Sequence, residues 1–371
     1  MKKLSFLFLS ILLASSIFAQ SETNWAKTAV TDLDYMHQMY RDNHAGGVDP
    51  ENPTFNKKLE KEYKKARKNA LKAKTEFDYQ KSLRGFLTPF KDGHMSVWFN
   101  NKEYMSSFIK KSSLKNFKQL RKPISIENFA DNSAWVYINT FNEKEGLFSK
   151  LVPELKKLKN KDIIVFDVRY NGGGSSYNGE LLLSALYGKQ YIDYVKQQVF
   201  KDEKEYYRAT EWSLKSFKEA AKFYDVEEQT KDEIACLADA IADGKDICWY
   251  KEEKENISSA QKEPVAARVY VLTDNVCFSA CLDFMDIIKG IGNITQIGQA
   301  TDGDTKYMQK RDAELPSGLG KFSISYNGYI NRPRKDNETY KPDYKFKGDM
   351  DDTKAIQEWI IKLDKKIQDK K

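Results

Sequence analysis

Three separated stretches of this chain carry residue types that together could break an acyl bond. The first is Cys277-Phe278-Ser279-Ala280-Cys281, just after the apolar run Val269–Thr273. A hydroxyl placed where a strand gives way to a helix lies among unpaired N–H groups at the positive end of the helix dipole. That setting suits a nucleophile and the anion its attack creates. It equally suits a helix N-cap, so Ser279 reads as either. The second stretch is Phe90-Lys91-Asp92-Gly93-His94-Met95-Ser96, in which a turn sets His94 at the entrance to a strand. Imidazole titrates near neutrality and is the usual base for a serine. His37 and His44, the other two histidines, lie in a helical N-terminal region with no partner suggested. The third is Asn171-Gly172-Gly173-Gly174 at the end of the β-branched run Ile163–Val168. Glycine reaches backbone conformations that turn N–H groups toward a bound group, so this is a candidate oxyanion hole as well as an ordinary strand-to-helix turn.

The elements around these stretches follow from hydrophobic period and turn residues. Residues 21–88 are rich in Lys, Glu, Ala, Leu and Tyr at helical spacing and read as two or three helices with a break at Gly46–Thr54. Strands are expected at Phe90–Phe99, Pro123–Asn128, Ala134–Asn139, Ile163–Val168, Val269–Thr273, Ile294–Gly298 and Lys321–Tyr326. Helices are expected at Leu147–Leu158, Asn178–Tyr187, Phe278–Lys289 and Asp351–Lys371. Strands alternating with helices imply an α/β core over 89–350. The stretch from about 195 to 262 is charged, aromatic and mostly helical in pattern, and reads as an insertion that caps the core. Its Tyr206, Tyr207, Trp212, Phe217, Phe223, Tyr224, Trp249 and Tyr250 could line a substrate cleft or form the insertion's own small core.

Taken in order, the motifs resemble the carboxyl-terminal-processing and tricorn-type serine peptidases. Asp92-Gly93-His94 is similar to that family's Asp-Gly-His. Asp167-Val168-Arg169-Tyr170-Asn171-Gly172-Gly173-Gly174 is similar to its Asp-Leu-Arg-x-Asn-x-Gly-Gly, and Phe278-Ser279-Ala280 to its Ser-Ala signature. Gly298-Gln299-Ala300-Thr301-Asp302-Gly303 resembles its Gly-x-x-Thr-x-Gly loop, and Pro342-Asp343 the Pro-Asp near its end. The resemblance implies a crotonase-like core of repeated ββα units and peptide-bond cleavage through an acyl-enzyme on Ser279. It implies an oxyanion hole from the backbone N–H groups of Gly172 or Gly173 and of Ala280. Asp167 and Arg169 become structural supports of the turn.

The departures from that pattern carry information. In the tail-specific branch a lysine base follows the Thr-x-Gly. Here that position is Asp304, and Lys306 comes two residues late. A Ser–Lys dyad is therefore not expected, and His94 as base points to the tricorn-like branch. That branch orients its site with a late glutamate, for which Glu338 is the first candidate and Asp304 the second. About 70 residues separate the Asp-Gly-His and Asp-Val-Arg motifs, too few for a PDZ module besides the core strands. A binding protein on the same fold with little catalysis is the competing reading. An α/β-hydrolase esterase is disfavoured, because no Gly-x-Ser-x-Gly surrounds any serine.

Bulk properties narrow the partners. The chain has 371 residues and a net charge of +7, with basic residues interleaved with acids as on solvated helix faces. A peptide or protein substrate is expected, and nucleic acid is not. Lys2, Lys3 and the apolar Leu4–Ala19 read as an export signal over 1–20, which places the mature chain in the periplasm or outside the cell without stable membrane insertion. The four cysteines allow three connectivities, of which Cys236–Cys248 is favoured if one bridge forms. Cys277 and Cys281 read as small buried hydrophobes. Neither a metal nor a cofactor is expected, since the cysteine spacings do not match short zinc clips.

Overall fold

The computed structural model describes residues 23–100, 124–142, 146–224, 227–228, 230–251 and 257–370. The expected export signal lies outside them.

Three helices come first: α1 (Trp25–Asn43), α2 (Phe55–Ala70) and α3 (Glu76–Leu87). Thr75 and Asp78 start α3 with reciprocal capping bonds that satisfy orphan N–H groups of its first turn. Then follow β1 (Val97–Phe99), β2 (Ser125–Ala130), β3 (Ser133–Tyr137), α4 (Leu147–Lys156), β4 (Ile163–Asp167), α5 (Ser176–Tyr187) and α6 (Lys189–Val199). Next come β5 (Lys204–Arg208), α7 (Glu211–Tyr224), α8 (Lys231–Ala242), β6 (Ile247–Tyr250), β7 (Arg268–Thr273), α9 (Ala280–Ile291) and β8 (Ile294–Gly298). The chain closes with β9 (Lys310–Glu314), β10 (Gly320–Ser325), β11 (Asn327–Ile330), β12 (Tyr344–Lys345) and α10 (Thr353–Gln368).

A six-stranded sheet in the order β12-β8-β7-β4-β3-β2 organises the α/β part, and only the β2–β3 pair is antiparallel. Every residue of β4 is buried, as expected for an interior parallel strand covered on both faces. Alternate side chains divide between two cores. Val136, Ile164, Phe166, Val269 and Val271 pack under α4, α5, α6 and α9. Trp135, Val165, Tyr270 and Leu272 pack under α10 through Ile356, Ile360 and Leu363. A third core joins the N-terminal helices to the antiparallel sheet β1-β10-β9, with Leu33, Met36, Tyr40, Leu83, Phe86, Phe99, Phe322 and Ile324 at its centre.

This is a mixed α/β architecture with a helical N-terminal region, as the alternating pattern implies. Two expectations need correction. The Phe90–Phe99 strand shrinks to Val97–Phe99, because Thr88–Phe90 form a 3-10 turn and residues 91–96 a loop. The 195–262 stretch is helical at its centre, in α7 and α8, but two unexpected short strands flank those helices: β5 and β6 pair with each other and β11 joins them. Each runs for only four or five residues without clear alternation, too short for hydrophobic period to separate strand from helix. Of the aromatics there, Tyr207 and Phe217 build a small core with Leu237, Cys248 and Tyr326, Tyr206 joins the N-terminal core, and Trp249 is exposed. Among the described residues no helix is long and apolar enough to cross a membrane.

Candidate active site

Strands β4 and β7 are parallel neighbours, with Asp167 opposite Leu272, so both loops leave from the same sheet end. The loops then bond to each other: Phe278 N–H donates to the Asn171 carbonyl at 3.2 Å. Gly173, at φ +98°, lies flat against the serine. A Cβ there would come within 2.8 Å of Ser279 Cβ, 2.9 Å of the Phe278 carbonyl oxygen and 3.0 Å of Ala280 N. The Gly173 N–H itself donates to Asn171 Oδ1 at 2.9 Å. This engaged donor corrects the expectation that either glycine could serve an oxyanion. The N–H groups of Gly172 and Ala280 have no hydrogen-bond partner among the described residues.

Ser279 has φ 57° and ψ −127°, a sparsely populated conformation for a non-glycine residue, and its side chain makes no capping bond. The N-cap alternative is thereby set aside. Its Oγ is 3.2 Å from His94 Nε2. The histidine arrives from the other sheet, on the loop before β1, where Ser323 Oγ of β10 donates to the His94 carbonyl. The Phe278 ring, centred 4.8 Å from the His94 ring, packs over Gly93, where a Cβ would lie 2.5 Å from it. This close approach explains why the Asp-Gly-His turn carries a glycine.

Asp92 is the carboxylate next to the imidazole. Its Oδ1 accepts from the His94 backbone N–H at 2.8 Å and lies 3.7 Å from His94 Nδ1, which makes no hydrogen bond within normal geometry. Its Oδ2 accepts from Thr305 Oγ1 at 2.8 Å. Burial pushes Asp92 up to about 7, against the pull of those two bonds. Burial pushes His94 down to about 4, helped by Lys310 and opposed by Asp283 and the Tyr307 backbone. The resting imidazole is therefore neutral at pH 7, ready to accept a proton.

The two acids named from sequence lie elsewhere. Glu338 accepts from the Lys335 backbone N–H on an exposed turn. Asp304 is buried between Arg332 and Arg334, in a cluster with Asp283 and Asp286, and burial raises it to about 8. Neither bonds to His94 among the described residues. Asp92 was legible in the sequence, since an aspartate two residues before the histidine forms an Asx turn that aims its carboxylate back along the loop.

The remaining singled-out residues have structural partners. Lys306 is held by Asp49 and Glu51 of the N-terminal region, 3.0 Å from Asp49 Oδ2, and is not offered to the serine. Arg169 makes a two-pronged pair with Asp167 at 2.8 and 2.6 Å, and Trp135 Nε1 donates to the same carboxylate at 3.0 Å. Arg169 also reaches Thr353 Oγ1 at 3.0 Å, tying the turn to α10. His37 pairs with Glu60 and stacks on Tyr63. His44 is buried against Phe55, its Nδ1 accepting from Gly46 N–H. Cys236–Cys248 is bridged, and so is Cys277–Cys281, which corrects the reading of the latter pair as free hydrophobes. Their i, i+4 spacing at the loop-to-helix junction brings the Cα atoms to 5.4 Å, within reach of a bridge. Among the described residues no group of three or more His, Cys, Asp or Glu could hold a metal ion.

A buried neutral imidazole against a serine hydroxyl, at the C-terminal ends of parallel strands and beside a glycine turn, is a serine-hydrolase type of constellation on an α/β fold. Residues 132–346, more than half of the chain, match the model of peptidase family S41, and the chain belongs to that family. It is thus a serine-type peptidase, a hydrolase acting on peptides or proteins. Its fold is similar to that of mature CPAF complexed with lactacystin, at 10% identity over 92% of this chain and 98% of that one, with a TM-score of 0.56. Mature CPAF alone gives 10% identity over 87% and 93%, with a TM-score of 0.52. Tricorn protease gives 10% identity over 86% of this chain and 34% of that one, with a TM-score of 0.45. No curated protein matches the sequence.

Proposed function

We propose that the chain is an exported serine endopeptidase in which Ser279 is the nucleophile and His94 the general base. The observation that carries this reading is the 3.2 Å approach of His94 Nε2 to Ser279 Oγ, made by residues 185 positions apart from two different sheets. Oγ attacks the substrate carbonyl carbon while its proton passes to Nε2. The carbonyl oxygen becomes an oxyanion, received by the N–H groups of Ala280 and Gly172. Asp92, 3.7 Å from Nδ1 in the resting site, is the carboxylate that stands beside the ring in place of Glu338 or Asp304, and in its ionised form its charge favours the imidazolium. His94 then protonates the leaving amine, and water releases the acyl group by the same route in reverse. The signal-like first twenty residues support export to the periplasm or beyond.

Ser279→Ala tests this directly. The variant is expected to keep its circular dichroism spectrum and melting temperature, lose fluorophosphonate labelling, and lose peptide hydrolysis by about 10³-fold or more. Peptide turnover at the wild-type rate in that variant would remove Ser279 from the reaction.

A further inference from the structure

The Cys277–Cys281 bridge encloses three residues only: Phe278, Ser279 and Ala280. Each of them is part of the site. Phe278 packs on the His94 ring and over Gly93. Ser279 carries the hydroxyl in a sparsely populated backbone conformation. Ala280 supplies an N–H with no partner among the described residues. The bridge runs from the loop before α9 to that helix's first turn, the part of a helix most prone to fray. Both cysteines are fully buried in the core beneath α9. The ring is too short to restrain much of the unfolded chain, because loop-closure entropy grows with the number of residues enclosed. Its effect is concentrated on local backbone geometry. The other bridge, Cys236–Cys248, closes a sequence separation of 12 between α8 and β6 and touches none of these groups.

We infer that the Cys277–Cys281 disulfide is a positioning clamp that holds Ser279 and the Ala280 N–H in their reactive arrangement. This rests on Ser279 being the nucleophile. Without the clamp the junction can relax toward an ordinary helix start. Ser279 Oγ then leaves the imidazole, and the Ala280 N–H turns away from the position of the oxyanion. Substrate contacts outside the junction remain. The loss therefore appears in kcat and not in KM.

The test compares Cys277→Ala/Cys281→Ala and Cys277→Ser/Cys281→Ser with Cys236→Ala/Cys248→Ala as the control. In the two clamp variants kcat and the fluorophosphonate labelling rate should fall together by about 10–100-fold, a fraction of what loss of a whole oxyanion donor costs. KM should stay within about threefold and the control within about twofold of wild type in kcat. Clamp variants that fold and label at the wild-type rate overturn the inference. If they fail to fold, the Cys236→Ala/Cys248→Ala protein is titrated with a phosphine reductant, and activity is plotted against the bridged fraction found by peptide mapping. Proportional loss supports the clamp, and full activity with free thiols at 277 and 281 overturns it. Ser279→Ala separates the two levels. Turnover in that variant removes the nucleophile itself, whereas an inactive Ser279→Ala with unaffected clamp variants removes only the clamp.

Discussion

Gly173→Ala is the sharpest perturbation the site offers, and Gly172→Ala is its built-in control. An alanine at 173 must adopt φ +98°, which costs a non-glycine residue about 1–3 kcal/mol. Its Cβ would meet Ser279 Cβ at 2.8 Å, the Phe278 carbonyl at 2.9 Å and Ala280 N at 3.0 Å, where ordinary contact begins near 3.4 Å. Those atoms are backbone or next to it, so the two loops have to separate by several tenths of an ångström. The separation falls between the turn and the N–H of Ala280. Displacing one oxyanion donor lowers kcat by about 10²–10³-fold, or about 3–4 kcal/mol of transition-state stabilisation. At position 172 the added methyl meets nothing within 4 Å, and the N–H is retained. Steady-state kinetics on a peptide substrate, with melting curves for both variants, should show Gly172→Ala within about threefold of wild type in kcat. Gly173→Ala should lose kcat by the larger factor and lose about 1–3 kcal/mol of stability. Equal effects at the two positions, or a nearly active Gly173→Ala, would refute the assignment of this turn to the site.

Other outcomes follow from the electrostatics. Asp92 is raised from 3.8 to about 7 by burial, so the native state holds its proton more tightly than the unfolded chain. Stability is then fully present below about pH 4 and is lost as pH rises through about 7, by about 4 kcal/mol at most. Asp92→Asn removes that loss, so its melting temperature relative to wild type should rise between pH 5 and pH 8. A difference that does not change with pH would contradict the buried-carboxylate account. The same variant should lose about tenfold or more in kcat at pH 8, because the imidazolium loses its neighbouring negative charge. Lys306→Met leaves Asp49, which is fully buried at its side chain, without its cation. Breaking such a pair costs about 3–5 kcal/mol, while Ser279 labelling at a temperature where the variant is folded should persist. Abolished labelling in folded protein would revive a lysine base.

How much is legible in the sequence depends on the range of the forces involved. The turn at Gly172–Gly174, the strand that delivers it and the helix start at Ala280 follow from local sequence, because apolar runs and glycines act on their immediate neighbours. So does the Asp92–His94 relation, although the motif alone does not show a carboxylate aimed at an imidazole. The short strands β9, β11 and β12 leave no mark in the local pattern, since they are set by pairing with distant segments. Glu338 was misplaced for a related reason. Proximity in a motif order does not say which way a surface turn projects its side chain, and Glu338 closes its own turn on Lys335.

The sequence by itself determined the chemistry on offer: a serine at a strand-to-helix junction, a histidine after an Asx turn and a glycine turn with N–H groups to spare. Through its resemblance to the tail-specific branch it also argued against a Ser–Lys dyad, since Asp304 stands where that branch has its lysine. Only the tertiary structure decided which groups meet. Ser279 comes from the six-stranded sheet and His94 from the loop before β1 of the antiparallel sheet against the N-terminal helices, so their 3.2 Å approach depends on how those two layers pack. The same packing engages the Gly173 N–H, leaves those of Gly172 and Ala280 unpaired, and buries Asp92 and His94 until their proton affinities move toward each other's ordinary range. Desolvation is a property of everything that surrounds a group, and no local stretch of sequence contains it.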